Sequence, residues 1–116
     1  LVVCGERILV HMRRERLLEG LYVFALLEGE DTPQAMKKHL GAWGLQAAFA
    51  QDLGAARHIF THRVWHMRLL HFTVKTPAPV KHHRWVSLEE LEHLPFPTAM
   101  RAARQAAKKL LAAESS

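Results

Sequence analysis

Arg57-His58-Ile59-Phe60-Thr61-His62-Arg63-Val64-Trp65-His66-Met67-Arg68, running on through Leu69 and Leu70 to Lys75, is the stretch from which the fold is read. Its β-branched and aromatic residues favour extended structure over helix. Within it the apolar phase moves from Trp65, Met67 and Leu69 to Leu70, Phe72 and Val74. Such a shift predicts a bulge or two strand segments. His58, His62 and His66 recur at the four-residue interval that would align them on a helix. In an extended chain, residues four apart stand about 13 Å from one another, too far to share an ion at bond lengths of about 2 Å. No metal site is therefore expected. The interleaved cations, hydroxyl and aromatic rings suit phosphate contact, base-edge hydrogen bonding and stacking. An amphipathic strand with a solvated basic face accounts for the same composition.

Outward from this stretch, strands and helices follow in turn. Leu1 to Cys4 and Arg7 to Arg13, with Ile8, Val10 and Met12 on one face, predict a β-hairpin turned at Gly5-Glu6. Arg13-Arg14-Glu15-Arg16 to Gly20 is polar and reads as a loop, and the apolar run Leu21 to Leu27 reads as a central strand. Thr32 followed by Pro33 starts a helix, the hydroxyl as cap and the proline in the first turn. Met36, Leu40 and Trp43 mark its apolar stripe, and Gly41 and Gly44 its stop. Leu45 to Ala56 fits helix through Leu45, Phe49 and Leu53 or strand through Ala48-Phe49-Ala50, and strand is preferred. Lys75 to Pro79 is a turn, and Arg84-Trp85-Val86 a short strand. Ser87-Leu88-Glu89-Glu90 is a capping-box pattern opening a helix that Pro95 and Pro97 cut short. A last helix from about Pro97 to Ala112 sets Met100, Ala103, Ala107, Leu110 and Leu111 against Arg101, Arg104 and Lys108.

The chain has 116 residues, 49% apolar and 23% charged, which fits one domain over residues 1–116 and neither a disordered nor a membrane chain. Leu1 opens no leader pattern, so the chain reads as an excised piece of a longer protein. Cys4 is the only cysteine, which excludes an intrachain disulfide, and a cytoplasmic setting is expected. Its expected role is that of a small buried apolar residue. A net charge of +5 favours a polyanionic partner. No nucleophile elbow, glycine-rich phosphate loop or Cys/His pair at a known spacing is present. Glu28, Glu30 and Asp31 read as solvated groups at a helix N-terminus, and Glu89, Glu90 and Glu92 belong to the capping helix.

Four blocks together carry a resemblance. Gly20-Leu21-Tyr22-Val23-Phe24, then His58-Ile59-Phe60-Thr61-His62, then Trp85 to Leu91, then Leu94-Pro95-Phe96-Pro97-Thr98-Ala99-Met100-Arg101, resemble the C-terminal domain of MutY-type adenine DNA glycosylases. The resemblance implies an α/β (α+β) fold, a Nudix-like mixed β-sheet flanked by helices. It implies a module that reads 8-oxoguanine opposite adenine in double-stranded DNA, in base excision repair, and that has no catalytic residue, metal or cofactor of its own. Excision and an iron–sulfur cluster would belong to an N-terminal glycosylase domain of the same chain. A monomer with no membrane partner is expected.

By this resemblance Phe60-Thr61-His62 matches the family's Phe-Ser-His loop, so Thr61 would contact the oxidised guanine, His62 the base or a flanking phosphate, and Phe60 would fix the loop. Ordinary guanine offers a bare acceptor at N7, whereas the oxidised base carries a hydrogen there that a hydroxyl oxygen can accept. Arg57, Arg63, Arg68 and the loop of Arg13, Arg14 and Arg16 are the expected phosphate contacts. Tyr22-Val23-Phe24-Ala25 stands where the family usually has Trp-Glu-Phe-Pro, so contacts by that Glu or Pro are not carried over. The rival reading is a Nudix-type nucleotide hydrolase, whose Arg-Glu-x-x-Glu-Glu helix holds divalent ions. The corresponding helix here reads Pro33-Gln34-Ala35-Met36-Lys37-Lys38-His39-Leu40, with lysines in place of carboxylates. A Nudix-shaped protein-interaction domain is the third reading.

Overall fold

The N-terminal hairpin forms as the alternation predicts: β1 (Val2–Cys4) and β2 (Arg7–Met12) are antiparallel, with Val3 opposite Ile8. Gly5 takes φ +58° at the tip, a left-handed conformation that glycine adopts without penalty. The computed structural model describes residues 1–16, 18–27, 29 and 32–114. Glu28, Glu30 and Asp31, read from sequence as solvated helix-start acids, lie outside the described residues.

β2 organises a six-stranded mixed sheet. One of its edges pairs with β6 (His83–Ser87) along Arg7 to His11. The other holds β1 at Arg7 and Ile8 and, further on, β3 (Tyr22–Phe24) at Val10 to Met12. β1 then pairs in parallel with β5 (Val64–Val74), and β5 pairs antiparallel with β4 (Ala47–Ile59).

Helices cover both faces. On one lies α1 (Pro33–Ala42), whose Met36 and Leu40 pack with Val2, Leu9, Leu70 and Phe72. On the other lie α2 (Leu88–His93) and α3 (Arg101–Glu114), whose Leu91, Ala103, Ala107 and Leu111 pack with Ile8, Val10, Phe24 and Val86. Because both faces are covered, Ile8, Leu9 and Val10 are all fully buried. Each such side chain contributes roughly 1.5–3 kcal/mol from burial. Met12, placed on the buried stripe by the alternation, is 47% exposed at the end of the strand.

Caps form where the sequence marks them. Thr32 Oγ1 accepts from the Ala35 amide at 3.1 Å, and the helix ends at Trp43 with Gly44 at φ +87°. Ser87 and Glu90 make both bonds of the capping box. Thr98 to Met100 form a single 3-10 turn before α3, so the last helix begins later than Pro97. Arg104, expected on a solvated side, donates to the carbonyls of Leu91 and Glu92 at 3.2 and 2.9 Å and ties α3 to the end of α2.

Two strand expectations change. The run Leu21 to Leu27 yields only Tyr22–Phe24 as strand, and β3 pairs with β2 alone, at the end of the strand order. Its apolar character reflects cover from other segments, among them Pro95, whose carbonyl accepts from the Tyr22 amide at 2.9 Å. The phase shift between Leu69 and Leu70 is neither a bulge nor a break, because β5 is one continuous strand. Trp65, Met67 and Leu69 face the α2–α3 side, while Leu70, Phe72 and Val74 face α1. The register shifts fall in β4 instead, between Phe49 and Gln51 and between Asp52 and Ala55. Leu45 to Ala56 is otherwise strand from Ala47, as preferred. Cys4 is half-buried rather than enclosed.

Candidate nucleic-acid interface

β4 and β5 form a long hairpin whose far end lies beyond the two-residue pairing of β5 with β1. Ile59 opposes Val64, and the Phe60 amide donates to the Arg63 carbonyl at 2.7 Å, so the chain reverses over Thr61 and His62. Antiparallel pairing places His58 and Trp65 opposite each other on the inner face, and Arg57 and His66 opposite each other on the outer one.

The inner face is held by a column of rings. Phe60 meets His58 edge-on at 4.6 Å between centroids and Trp65 edge-on at 5.2 Å. The Arg13 guanidinium lies over the Trp65 ring at 5.2 Å and is 7% exposed. Edge-to-face pairs contribute roughly 0.5–1.5 kcal/mol each beyond the area they bury. Phe60 therefore fixes the turn by packing, while Thr61, His62 and Arg63 stand exposed beyond it.

The remaining site residues divide by environment. Arg57 and Arg14 are exposed, and the Arg14 amide donates to the Glu15 carboxylate at 3.2 Å. Arg13 is buried rather than solvated, its guanidinium over Trp65 and its Nε 3.7 Å from Glu15. Arg68 is engaged by Asp52 at 2.9 Å. The Gly54 amide, first, and the Arg68 guanidinium hold that carboxyl below the usual carboxylate range.

His58, His62 and His66 fall on the inner face, the tip and the outer face of the hairpin, so they do not converge. Among the described residues, no group of three or more His, Cys, Asp or Glu side chains could hold a metal ion. α1 presents Lys37 and Lys38 to solvent. Among the described residues, no helix is long and apolar enough to cross a membrane.

One cluster has no sequence signal. His11 on β2 and His83 on β6 are cross-strand partners with ring centroids 4.5 Å apart, and Trp43 and His39 extend the column at 4.6 Å each. Adjacent His82 and His83 part company: His82 sits in the turn at φ +64°, and His83 enters the column.

The family described as NUDIX domain matches residues 1–106. Comparison with curated protein sequences gives no match. Among solved structures the chain is similar to the E. coli ORF135 protein, at 22% identity and TM-score 0.69, covering 97% of this chain and 87% of that one. It is similar to the Nudix hydrolase RenU of M. smegmatis, at 17% identity and TM-score 0.65, covering 92% and 76%. It is also similar to the C-terminal domain of mouse MUTYH, solved in complex with human PCNA, at 20% identity and TM-score 0.59, covering 90% and 77%.

Proposed function

The chain belongs to the NUDIX domain family, and on that premise we propose that it is the DNA-recognition module of a MutY-type adenine glycosylase, reading 8-oxoguanine opposite adenine. The observation that carries this reading is the braced turn, on which Thr61, His62 and Arg63 are exposed while Phe60 is packed between His58 and Trp65. A reader placed on a stiff support loses little ordering entropy when it engages a base. The Thr61 hydroxyl oxygen accepts the hydrogen that oxidation places on N7, a donor ordinary guanine lacks. Arg63, Arg57 and Arg14 contact phosphates, which set register without reading sequence. Adenine excision, with its iron–sulfur cluster, belongs to a separate N-terminal glycosylase domain of the same polypeptide.

The hydrolase reading has a specific observation in its favour, the likeness in fold to RenU. Against it stands α1, where Lys37 and Lys38 occupy one exposed surface of a helix without a carboxylate. Divalent ions bridging a diphosphate require several oxygen ligands on that helix.

The test compares binding of this chain to two duplexes, one with adenine opposite 8-oxoguanine and one with adenine opposite guanine. Thr61→Ala should remove roughly 1–3 kcal/mol of the preference. Thr61→Ser keeps the acceptor and should leave the preference intact. A native chain with no preference, or an alanine variant that retains it, overturns the reading.

A further inference from the structure

A cavity of about 620 Å³ lies beside β5, lined on one side by six consecutive residues, Arg63 to Arg68. Neighbours on a strand point to opposite faces, so consecutive residues cannot line one space through side chains alone. The cavity therefore follows the strand's edge. β1 covers that edge only further along, at Phe72 and Thr73, with the Leu1 nitrogen donating to the Leu70 carbonyl at 2.7 Å and the Phe72 amide to the Leu1 carbonyl at 2.8 Å.

These bonds fix the phase of the ladder. Leu70 and Phe72 direct their main-chain groups toward β1, away from β4, and alternation carries the same direction to Val64 and His66. The tip agrees independently: the Phe60–Arg63 bond faces β4 side to side, so Val64, the next residue, faces out. Val64 and His66 thus turn an N–H and a C=O into the cavity, and among the described residues no strand pairs with them there. The opposite wall is apolar, built by Ala25, Leu26, Leu27 and Met36.

We propose that this edge is a docking site for an extended peptide strand, which pairs with Val64 and His66 in line with β1 and sets alternate apolar side chains against Leu26, Leu27 and Met36. The main-chain phase selects a strand as occupant. Donors and acceptors that recur every second residue, about 6.6 Å apart, are matched by another strand and not by a helix. From Val64 to Met67, short of Leu70 whose carbonyl is already bonded to Leu1, the edge spans about 10 Å, room for about four residues. Arg63 at the tip end favours an acidic residue in the corresponding part of the peptide. The site is independent of what Thr61 contacts.

The probe is a synthetic ten-residue peptide alternating Val or Leu with Thr and ending in Glu, with a scrambled peptide of the same composition as control. In amide hydrogen exchange of the free chain, Trp65 and Met67 should be protected and Val64 and His66 should exchange freely. The alternating peptide should slow Val64 and His66 by at least about tenfold, the effect of one added hydrogen bond of ordinary strength, and the scrambled one should not. His66→Pro deletes an outward amide, a substitution that strand edges tolerate. It should keep the melting temperature and weaken peptide binding by about tenfold. Protection of Val64 and His66 in the free chain, failure of the alternating peptide to bind at millimolar concentration, or shifts that map elsewhere would each overturn the proposal, whether or not the proline variant folds.

Discussion

Phe60 and Thr61 are adjacent and do different work. Phe60 has its ring against His58 and Trp65, and Thr61 has its side chain in solvent. Phe60→Ala removes the middle of that column and should cost about 1–2 kcal/mol, less than the roughly 3–5 kcal/mol of a fully buried phenylalanine because the ring is only half-covered. The fold should survive. Preference for the oxidised duplex should drop while affinity for undamaged duplex holds, since an unbraced turn loses orientation before it loses charge. A thermal melt beside paired binding curves checks both halves, and unaltered preference would remove the brace from the argument. A second residue-scale expectation concerns acid. Burial, first, and then the neighbouring His83 push the His11 pKa below its ordinary value. Burial does the same to His83, partly opposed by its bond to the Lys81 carbonyl and reinforced by His82 and His39. His11 Nδ1 and His83 Nε2 are buried without partners. The fold therefore holds both rings neutral, and below the unfolded value of about 6.5 the unfolded chain binds more protons than the native one. Stability is full above about pH 6.5 and falls as the pH drops below it. His11→Phe or His83→Phe should flatten the acid limb of melting temperature against pH between about 7 and 5. Variant limbs as steep as the native one would show that these rings do not set it.

Elements whose signals are local were legible in the sequence, and the capping box is the clearest. Ser87 accepts from the Glu90 amide at 3.3 Å and Glu90 returns to the Ser87 amide at 3.1 Å, both within four residues of chain. Ser87→Ala should cost about 1 kcal/mol. A melt can read this directly, because Ser87 lies outside the hairpin tip; a change in duplex preference accompanying it would mean that α2 is coupled to the reader. Thr32-Pro33 and the turn at Gly5-Glu6 were legible for the same reason. The strands were not, wherever burial came from distant cover. Leu69 and Leu70 are both covered because helices lie on both faces of the sheet, which a period-two pattern in one strand cannot report. The bulge of β4 between Asp52 and Ala55 coincides with Asp52 accepting the Gly54 amide at 2.8 Å, with Gly54 at φ +99°, a local device masked by the helix-compatible spacing of Leu45, Phe49 and Leu53. At the site, Phe60, Thr61 and His62 were marked by family resemblance. The contact of Arg13 with Trp65 joins segments remote in sequence, and nothing near Arg13 distinguishes it from Arg14 or Arg16.

At the scale of the whole molecule, charge and carboxylate placement make two claims. With α1 free of carboxylates, the chain incubated with magnesium or manganese should turn over no nucleoside triphosphate, the oxidised guanine form included. Turnover abolished by Glu28→Gln would reverse that conclusion. The second claim turns on how a net charge of +5 is distributed. Counterion release counts only those cations that reach phosphates, each adding about 0.9 to the slope of log affinity against log salt. Sequence alone offers a long roster around the tip, but the structure shortens it. Arg13 is 7% exposed and stacked on Trp65, and Arg68 is 2.9 Å from the Asp52 carboxylate. Breaking either arrangement to reach a phosphate would exchange one electrostatic contact for another, with little net release of ions. Arg57, Arg63, Arg14 and Arg16 are exposed. Four contacts would give a slope near −3.6, and the longer roster would give a steeper one. Replacing Arg63 with alanine should lower affinity for all duplexes alike and reduce the slope by about 0.9, whereas Arg68→Ala should leave the slope unchanged. Titrations of undamaged duplex between about 50 and 200 mM salt separate the cases. A slope that Arg68→Ala reduces as much as Arg63→Ala does would mean that the Asp52 pair opens on DNA, and that exposure in the free chain does not select the phosphate ligands.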